Sequence, residues 1–198
     1  MLEHEAPFRG LLDRLNSFVS LPDAERRRIV PMLRRRTLQA GDFFVRSGEI
    51  STTVGYMERG VLRYYYIAPD GREFIRHFCF GGHFVSSSSS VQTGTPSAYS
   101  IQAIEESLLI TFSYADWISL VGTHTVWGRI GQRIQEEALI LAERRERSLI
   151  LDDAKTRYLQ CLEEFPGIET RVKQYDIASY LGITPVALSR LRGKPSKN

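Results

Sequence analysis

The stretch Gln174-Tyr175-Asp176-Ile177-Ala178-Ser179-Tyr180-Leu181-Gly182-Ile183-Thr184-Pro185-Val186-Ala187-Leu188-Ser189-Arg190-Leu191-Arg192-Gly193-Lys194 reads as two short helices joined by a tight turn. Ile177, Ala178 and Leu181 fall at i, i+1 and i+4, one apolar stripe of a first helix. Gly182 follows at once and supplies the positive φ that ends a helix without a Cβ penalty. Thr184 is an N-cap, and Pro185 takes the first helical position, where a missing N–H costs nothing. The second helix then buries Leu188 and Leu191 and turns Ser189, Arg190, Arg192 and Lys194 outward. That is a helix-turn-helix with a basic second helix, a shape that fits the DNA major groove. An ordinary αα-hairpin with a solvated basic face has the same local pattern, so the rest of the chain has to decide.

The chain of 198 residues is long enough to bury a real core, and at 42% hydrophobic and 25% charged residues its composition is that of a soluble globular protein. No apolar run approaches the roughly 18 residues that span a bilayer. The beginning, with Glu3, His4 and Glu5, has neither the basic flank nor the apolar core of a signal peptide. Cys79 and Cys161 lie far apart and fit no metal or redox spacing, so a reduced, cytoplasmic location is expected. The net charge is only +3, but it is unevenly placed. Residues 1–125 hold thirteen Lys/Arg and thirteen Asp/Glu, whereas from Thr170 onward six basic residues stand against the single acid Asp176. A small basic tail module fits a polyanion partner.

Phe8, Leu11, Leu12, Leu15, Phe18 and Val19 recur at helical spacing, so residues 5–19 read as an amphipathic helix. Pro22, Asp23 and Glu25 start a second one, which carries Arg26, Arg27, Arg28 and, after Pro31, Arg34, Arg35 and Arg36. This run reads as a solvated face or a source of ion pairs, with nucleic acid as the alternative. From Thr37 to about Ser113, short runs rich in Val, Ile, Tyr and Phe alternate with glycine-containing turns, the sign of an antiparallel sandwich or barrel of about eight strands. Val61–Ile67 and Phe74–Phe78 form a hairpin around Asp70-Gly71. Beyond Trp117 the pattern is helical. Trp127, Ile130, Ile134, Ala138 and Leu141 trace one stripe of a long helix, a seam for a two-stranded coiled coil; its N-terminal half can instead pack on the barrel. Asp152-Asp153 starts a further helix that Pro166-Gly167 stops.

This order of parts resembles the Crp/Fnr family of bacterial transcription regulators. Gly41-Asp42 with Ser47-Gly48-Glu49, Gly60-Val61-Leu62-Arg63 and Gly82-His83-Phe84 are similar to the family's β-roll glycines. Leu181-Gly182-Ile183-Thr184 with Leu188-Ser189-Arg190 is similar to its helix-turn-helix. The resemblance implies an α+β fold: N-terminal helices, an antiparallel β-roll (a double-stranded β-helix or jelly roll), a long dimerisation helix and a C-terminal helix-turn-helix. It divides the chain into a sensor domain like those that bind cyclic nucleotides (1–122), a dimerisation helix (123–148) and a DNA-binding domain (149–198). It also implies a homodimer through Trp127, Ile130, Ile134, Ala138 and Leu141, double-stranded DNA as partner, RNA polymerase as a further one, and no membrane.

In nucleotide-binding members a Glu and an Arg clamp the ribose and cyclic phosphate. Anchored on Gly82-x-Phe84 and Ala103, those positions fall here on Ser87 and Ser97. An anion buried without a guanidinium is costly, so tight cAMP binding is not expected. A pocket for an unidentified effector would comprise Gly82, Phe84, Ser86, Ser87, Ser88, Ser97, Ala98 and Tyr99, although the serine run reads rather as a flexible turn. In the recognition helix, Val186 and Ala187 can touch thymine methyls and Arg190 can pair with guanine. Arg171, Lys173, Arg192 and Lys194 serve the phosphates, with Gln174, Thr184 and Ser189 on the same surface. No cofactor and no metal set is evident. Alternatives are a ligand-binding adaptor whose tail contacts protein, or a cupin-like metalloenzyme, for which His77 and His83 lack the His-x-His spacing.

Overall fold

A computed structural model of the protein describes residues 3–193. A 3-10 turn (Glu3–Phe8) leads into α1 (Arg9–Phe18) and α2 (Asp23–Ile29), and a second such turn (Val30–Met32) delivers the chain to the first strand. Eight strands follow: β1 (Arg34–Leu38), β2 (Phe43–Val45), β3 (Thr53–Arg59), β4 (Leu62–Ile67), β5 (Glu73–Cys79), β6 (Phe84–Val85), β7 (Ser100–Ala103) and β8 (Ser107–Ser113). A short helix, α3 (Ser88–Thr93), lies between β6 and β7. The remainder is helical: α4 (Tyr114–Val121), α5 (Thr125–Leu151), α6 (Ala154–Glu164), α7 (Ile168–Arg171), α8 (Gln174–Leu181) and α9 (Pro185–Arg192).

The strands form two antiparallel four-stranded sheets, ordered β1-β8-β3-β6 and β2-β7-β4-β5. Alternation of side chains along each strand builds three layers of core. Met57, Leu62, Val85, Ile101 and Leu109 meet between the sheets. Tyr56, Ile110 and Phe112 point out of the first sheet onto α1, α4 and the start of α5. Val61, Tyr65, Ile75 and Phe78 point out of the second onto Phe165, Ile168, Ile177, Leu181 and Leu188 of the C-terminal helices. The C-terminal helices therefore share a core with the outer face of the second sheet.

Turn chemistry sets the registers. The β4–β5 hairpin closes with Gly71 at φ 83° and its N–H donating to the Ala68 carbonyl, so the Asp70-Gly71 turn stands where the sequence places it. The ladder slips between the pairs Tyr64–His77 and Tyr65–Ile75, a bulge at Arg76. Gly60 has φ 111°, and a Cβ there would stand 2.6 Å from the Ser107 Cα. Gly60→Ala is therefore expected to lower stability by more than about 1 kcal/mol in denaturant unfolding; an unchanged midpoint would mean that the β3–β4 turn does not abut Ser107.

Two sequence expectations change. Arg34, Arg35 and Arg36 are not a helical continuation: they form β1, an edge strand paired with β8. Arg35 pairs with Glu58 at 3.7 Å and Arg28 with Glu25 at 3.3 Å, so part of the arginine run is spent on local ion pairs. The serine run is not a flexible turn, because Ser88–Thr93 winds into α3 and Gly94, in the left-handed conformation at φ 69°, ends it. Burial pushes the thiols of Cys79 and Cys161, both free, up to about 12.

Candidate nucleic-acid interface and β-roll pocket

Helices α8 and α9 form the hairpin that the sequence predicts. Gly182 adopts φ 67°, its N–H donates to the Ser179 carbonyl, and the Ile183 N–H reaches back to the Ala178 carbonyl at 3.0 Å, the paired bonds of a Schellman cap. The Thr184 hydroxyl then accepts from the Ala187 N–H at 3.2 Å and starts α9. Ile177, Ala178, Leu181 and Leu188 are buried beneath. Pro185, Val186, Ser189 and Arg190 are exposed together, at i, i+1, i+4 and i+5 on one face of α9, with Ala187 half-buried beside them.

Charge is distributed less simply than the sequence suggests. Arg192 pairs with Glu169 at 2.9 Å, and the same carboxylate accepts from the Tyr158 hydroxyl. Arg171 is held by both oxygens of Glu105, on the turn before β8, and lies over the Phe80 ring at 4.8 Å. Both arginines are thus engaged within the protein. Lys173 and Gln174 are exposed at the start of α8. Lys194 lies outside the described residues.

Contacts that the sequence does not announce fix this hairpin in place. The Arg63 guanidinium on β4 donates to Asp176 at 3.1 Å, to Glu73 at 2.6 Å and to Gln102 at 2.7 Å. Burial pushes the Asp176 carboxyl up from its ordinary value, against the pull of Arg63. The backbone N–H of Ile75, on the edge strand β5, donates to the Ser179 hydroxyl at 2.9 Å, so α8 covers an edge that would otherwise be open. At the other end of α8, Arg145 donates to the Tyr180 carbonyl and Arg157 to the Leu181 carbonyl, cations on the carbonyl end of a helix. No local motif marks these contacts, since their partners lie ten or more residues apart in the chain.

In the β-roll, Ser87 and Ser97 are buried and bond each other at 2.9 Å, and the Ser97 hydroxyl also donates to the Tyr99 carbonyl at 2.7 Å. The Tyr99 hydroxyl faces the Ser86 carbonyl at 3.4 Å, and Ser86 meets Ser88 at the same distance. Tyr99 packs between Tyr64 and Tyr66. Five of the eight predicted pocket residues are therefore brought together, and their hydroxyls answer one another. The other three stand apart: Phe84 packs on Phe18 and Tyr56 in the helix-facing layer, Ala98 is exposed, and Gly82 serves the turn before β6, donating to the Met57 carbonyl.

The predicted dimer stripe turns inward. Trp127 and Ile130 are fully buried against α1, α2 and α4, the Trp127 indole N–H donates to Glu25 at 2.7 Å, and Ile134 packs on the same cluster. Leu141 faces α6, and only Ala138 of the five is exposed. The reason is close approach: Gly131 abuts the Trp117 ring, where an added Cβ would stand 3.3 Å away, so α5 seats on α4 along this stripe. The face left open carries Gly128, Gln132, Gln135, Leu139, Ala142, Glu146 and Leu149, alternating steps of four and three.

Among the described residues, no group of three or more His, Cys, Asp or Glu side chains is placed to hold a metal, and no helix is long and apolar enough to cross a membrane.

Residues 35–124 match the family model described as the cyclic nucleotide-binding domain. No curated protein matches the chain. Among solved structures, FixK2 from Bradyrhizobium japonicum superposes with a TM-score of 0.71 at 19% identity, covering 81% of this chain and 82% of that one. A protein from Eubacterium rectale, described as a transcriptional regulator of the Crp/Fnr family by assignment, gives 0.68 at 17%, covering 86% and 82%. CLP from Xanthomonas campestris, described as a c-di-GMP responsive global regulator, gives 0.66 at 17%, covering 86% and 89%. At these identities the likeness is one of fold.

Proposed function

We propose that this chain, which carries a cyclic nucleotide-binding domain and has the fold of the Crp/Fnr regulators, is a dimeric DNA-binding transcription regulator whose β-roll does not hold cAMP. The observation that carries the reading is the free outer face of α9. A capped, well-seated helix presents Val186, Ser189 and Arg190 to solvent, with its N-terminus forward, as major-groove readers do. Arg190 is the base reader, Val186 and Ala187 the apolar contacts to thymine methyls, and Lys173 and Gln174 stand beside phosphates. Arg171 and Arg192 join them only by leaving Glu105 and Glu169.

Two-fold symmetry would come from the open face of α5. Leu139, Ala142 and Leu149 on that face form a heptad seam, and Gly128 lets two helices approach closely at one end. A dimer through this seam reads two half-sites of a palindrome. Such a regulator works in the cytoplasm beside the chromosome; RNA polymerase as a further contact rests on the family resemblance.

Selection from random duplexes is expected to enrich a palindrome, with affinity falling steeply as salt rises. Arg190→Ala is expected to cost about 1–3 kcal/mol per half-site and to relax one base pair in each. Recovery of no enriched sequence would overturn the reading. Millimolar cAMP is expected to leave the melting temperature unchanged, because Ser87 and Ser97 satisfy each other and supply no charge for a phosphate. A rise that saturates at micromolar cAMP would show that the two serines part to admit it.

A further inference from the structure

A cavity of about 470 Å³ lies between α5, α6 and the end of α8, with His77 of β5 at its floor. Its size is in the range of small-molecule sites, and like many of them it lies where two parts of the chain meet. Arg144, Arg145 and Arg147 reach it from α5 and Arg157 from α6. Among the described residues, none of the four makes an ion pair. Two are held by neutral groups. Arg145 donates to the Tyr180 carbonyl and lies 3.9 Å over its ring, while Arg157 donates to the Leu181 carbonyl at 2.9 Å and to the Asp152 carbonyl at 2.5 Å. Carbonyls fix these guanidinia without cancelling their charge.

The acids on the same wall are partly occupied. The Asp152 carboxylate accepts from Gln160 at 3.0 Å, and Glu164 accepts from the Tyr180 hydroxyl at 3.1 Å. Glu163 is the third. His77 contributes no positive charge, its pKa being lowered to about 3 chiefly by burial. Burial likewise lowers the pKa of Arg145, outweighing the nearby Tyr180 and Glu164, which pull it up.

We propose that this cavity binds a small phosphorylated anion of nucleotide size, clamped between Arg144 and Arg147 on one wall and Arg157 on the other. Phosphate suits such a clamp because its oxygens accept forked guanidinium bonds from two directions at once. Occupancy would be felt at the DNA-reading hairpin, since Arg145 and Arg157 hold the last carbonyls of α8, one residue from the Gly182 turn. The β-roll need not be the sensor's only ligand site.

The test is thermal melting of the full chain with pyrophosphate, with ATP and with sulfate at matched ionic strength. It needs no DNA, so it stands apart from the proposed regulator function. Pyrophosphate or ATP is expected to give a saturable rise of about 5–10 °C at a hundredfold excess over Kd. A response to pyrophosphate alone points to an inorganic or polyphosphate ligand; one to ATP, to a nucleotide. Arg144→Gln with Arg147→Gln should weaken the response at least about tenfold, while Glu163→Gln should strengthen it. Three results would overturn the site: no rise with either probe, an equal rise with sulfate, or an undiminished rise in the double variant. Loss of duplex DNA affinity in that variant, with probe binding intact, would reassign these arginines to the DNA backbone.

Discussion

Trp127→Ala is expected to lower the unfolding free energy by about 3–5 kcal/mol, and the melting temperature by roughly 6–20 °C for a chain of this size. Trp127 is wholly buried, meets Trp117 edge-on at 5.5 Å, and donates its indole N–H to the Glu25 carboxylate at 2.7 Å. Truncation therefore does two things. It opens a cavity between α2, α4 and α5, and it leaves Glu25, itself 4% exposed, with the 3.3 Å contact to Arg28 as its one remaining side-chain partner among the described residues. Trp127→Phe separates these effects, since it keeps most of the volume and removes the donor; about 1–3 kcal/mol is expected there. Guanidinium unfolding monitored by circular dichroism measures both. A loss below 1 kcal/mol for the alanine variant would return Trp127 to a surface seam.

That residue also marks where the sequence stops being readable. A 3.6-residue period tells that a helix has an apolar stripe, not which neighbour covers it. Helix α5 has two stripes. The one with the larger side chains, Trp127, Ile130 and Ile134, packs on the protein's own body; the weaker one, Leu139, Ala142 and Leu149, stays open. Size points to the larger stripe as a seam between two chains, but large apolar residues serve a core better than a surface that must also dissolve, and here they pack within the protein's own body.

What was legible was local. Gly182, Thr184 and Pro185 dictate the end of one helix and the start of the next through backbone chemistry within a few residues, and α8 and α9 obey. The Asp70-Gly71 hairpin and the eight-strand count follow from the same kind of signal. Arg171 and Arg192 were not legible in this sense. Their charge reads as free until the fold brings Glu105 and Glu169 to them, 66 residues away in the first case. The serine run is intermediate. Serine has modest helix propensity, but the buried Ser90 hydroxyl accepts from the Ser51 N–H at 2.8 Å and Gly94 supplies a left-handed stop, so tertiary contacts complete α3.

Part of the stability of this protein is expected to be lost in acid at one ring, His77. His77 sits where the bulge at Arg76 turns the strand, edge-on to Tyr64 at 6.0 Å and to Phe165 at 5.7 Å. Burial lowers its pKa from 6.5 to about 3, and the nearby charges of Arg76, His83 and Arg145 push the same way. The native state therefore refuses a proton that the unfolded chain accepts. Above the unfolded value both states are neutral and the ring costs nothing. As pH falls from about 6.5 toward 3 the unfolded state alone binds the proton, and stability is lost across that window. The full shift corresponds to roughly 4–5 kcal/mol, and about 2–4 kcal/mol is expected because the ring lines a cavity that opens to the surface. His77→Phe preserves the aromatic contacts and removes the titration, so the difference between wild type and variant, followed by urea unfolding from pH 7.5 to about 4, isolates this residue from the carboxylates that titrate in both. The gap should widen steadily below pH 6.5. Two curves that fall in parallel would show that the ring is solvated and titrates normally in the folded protein.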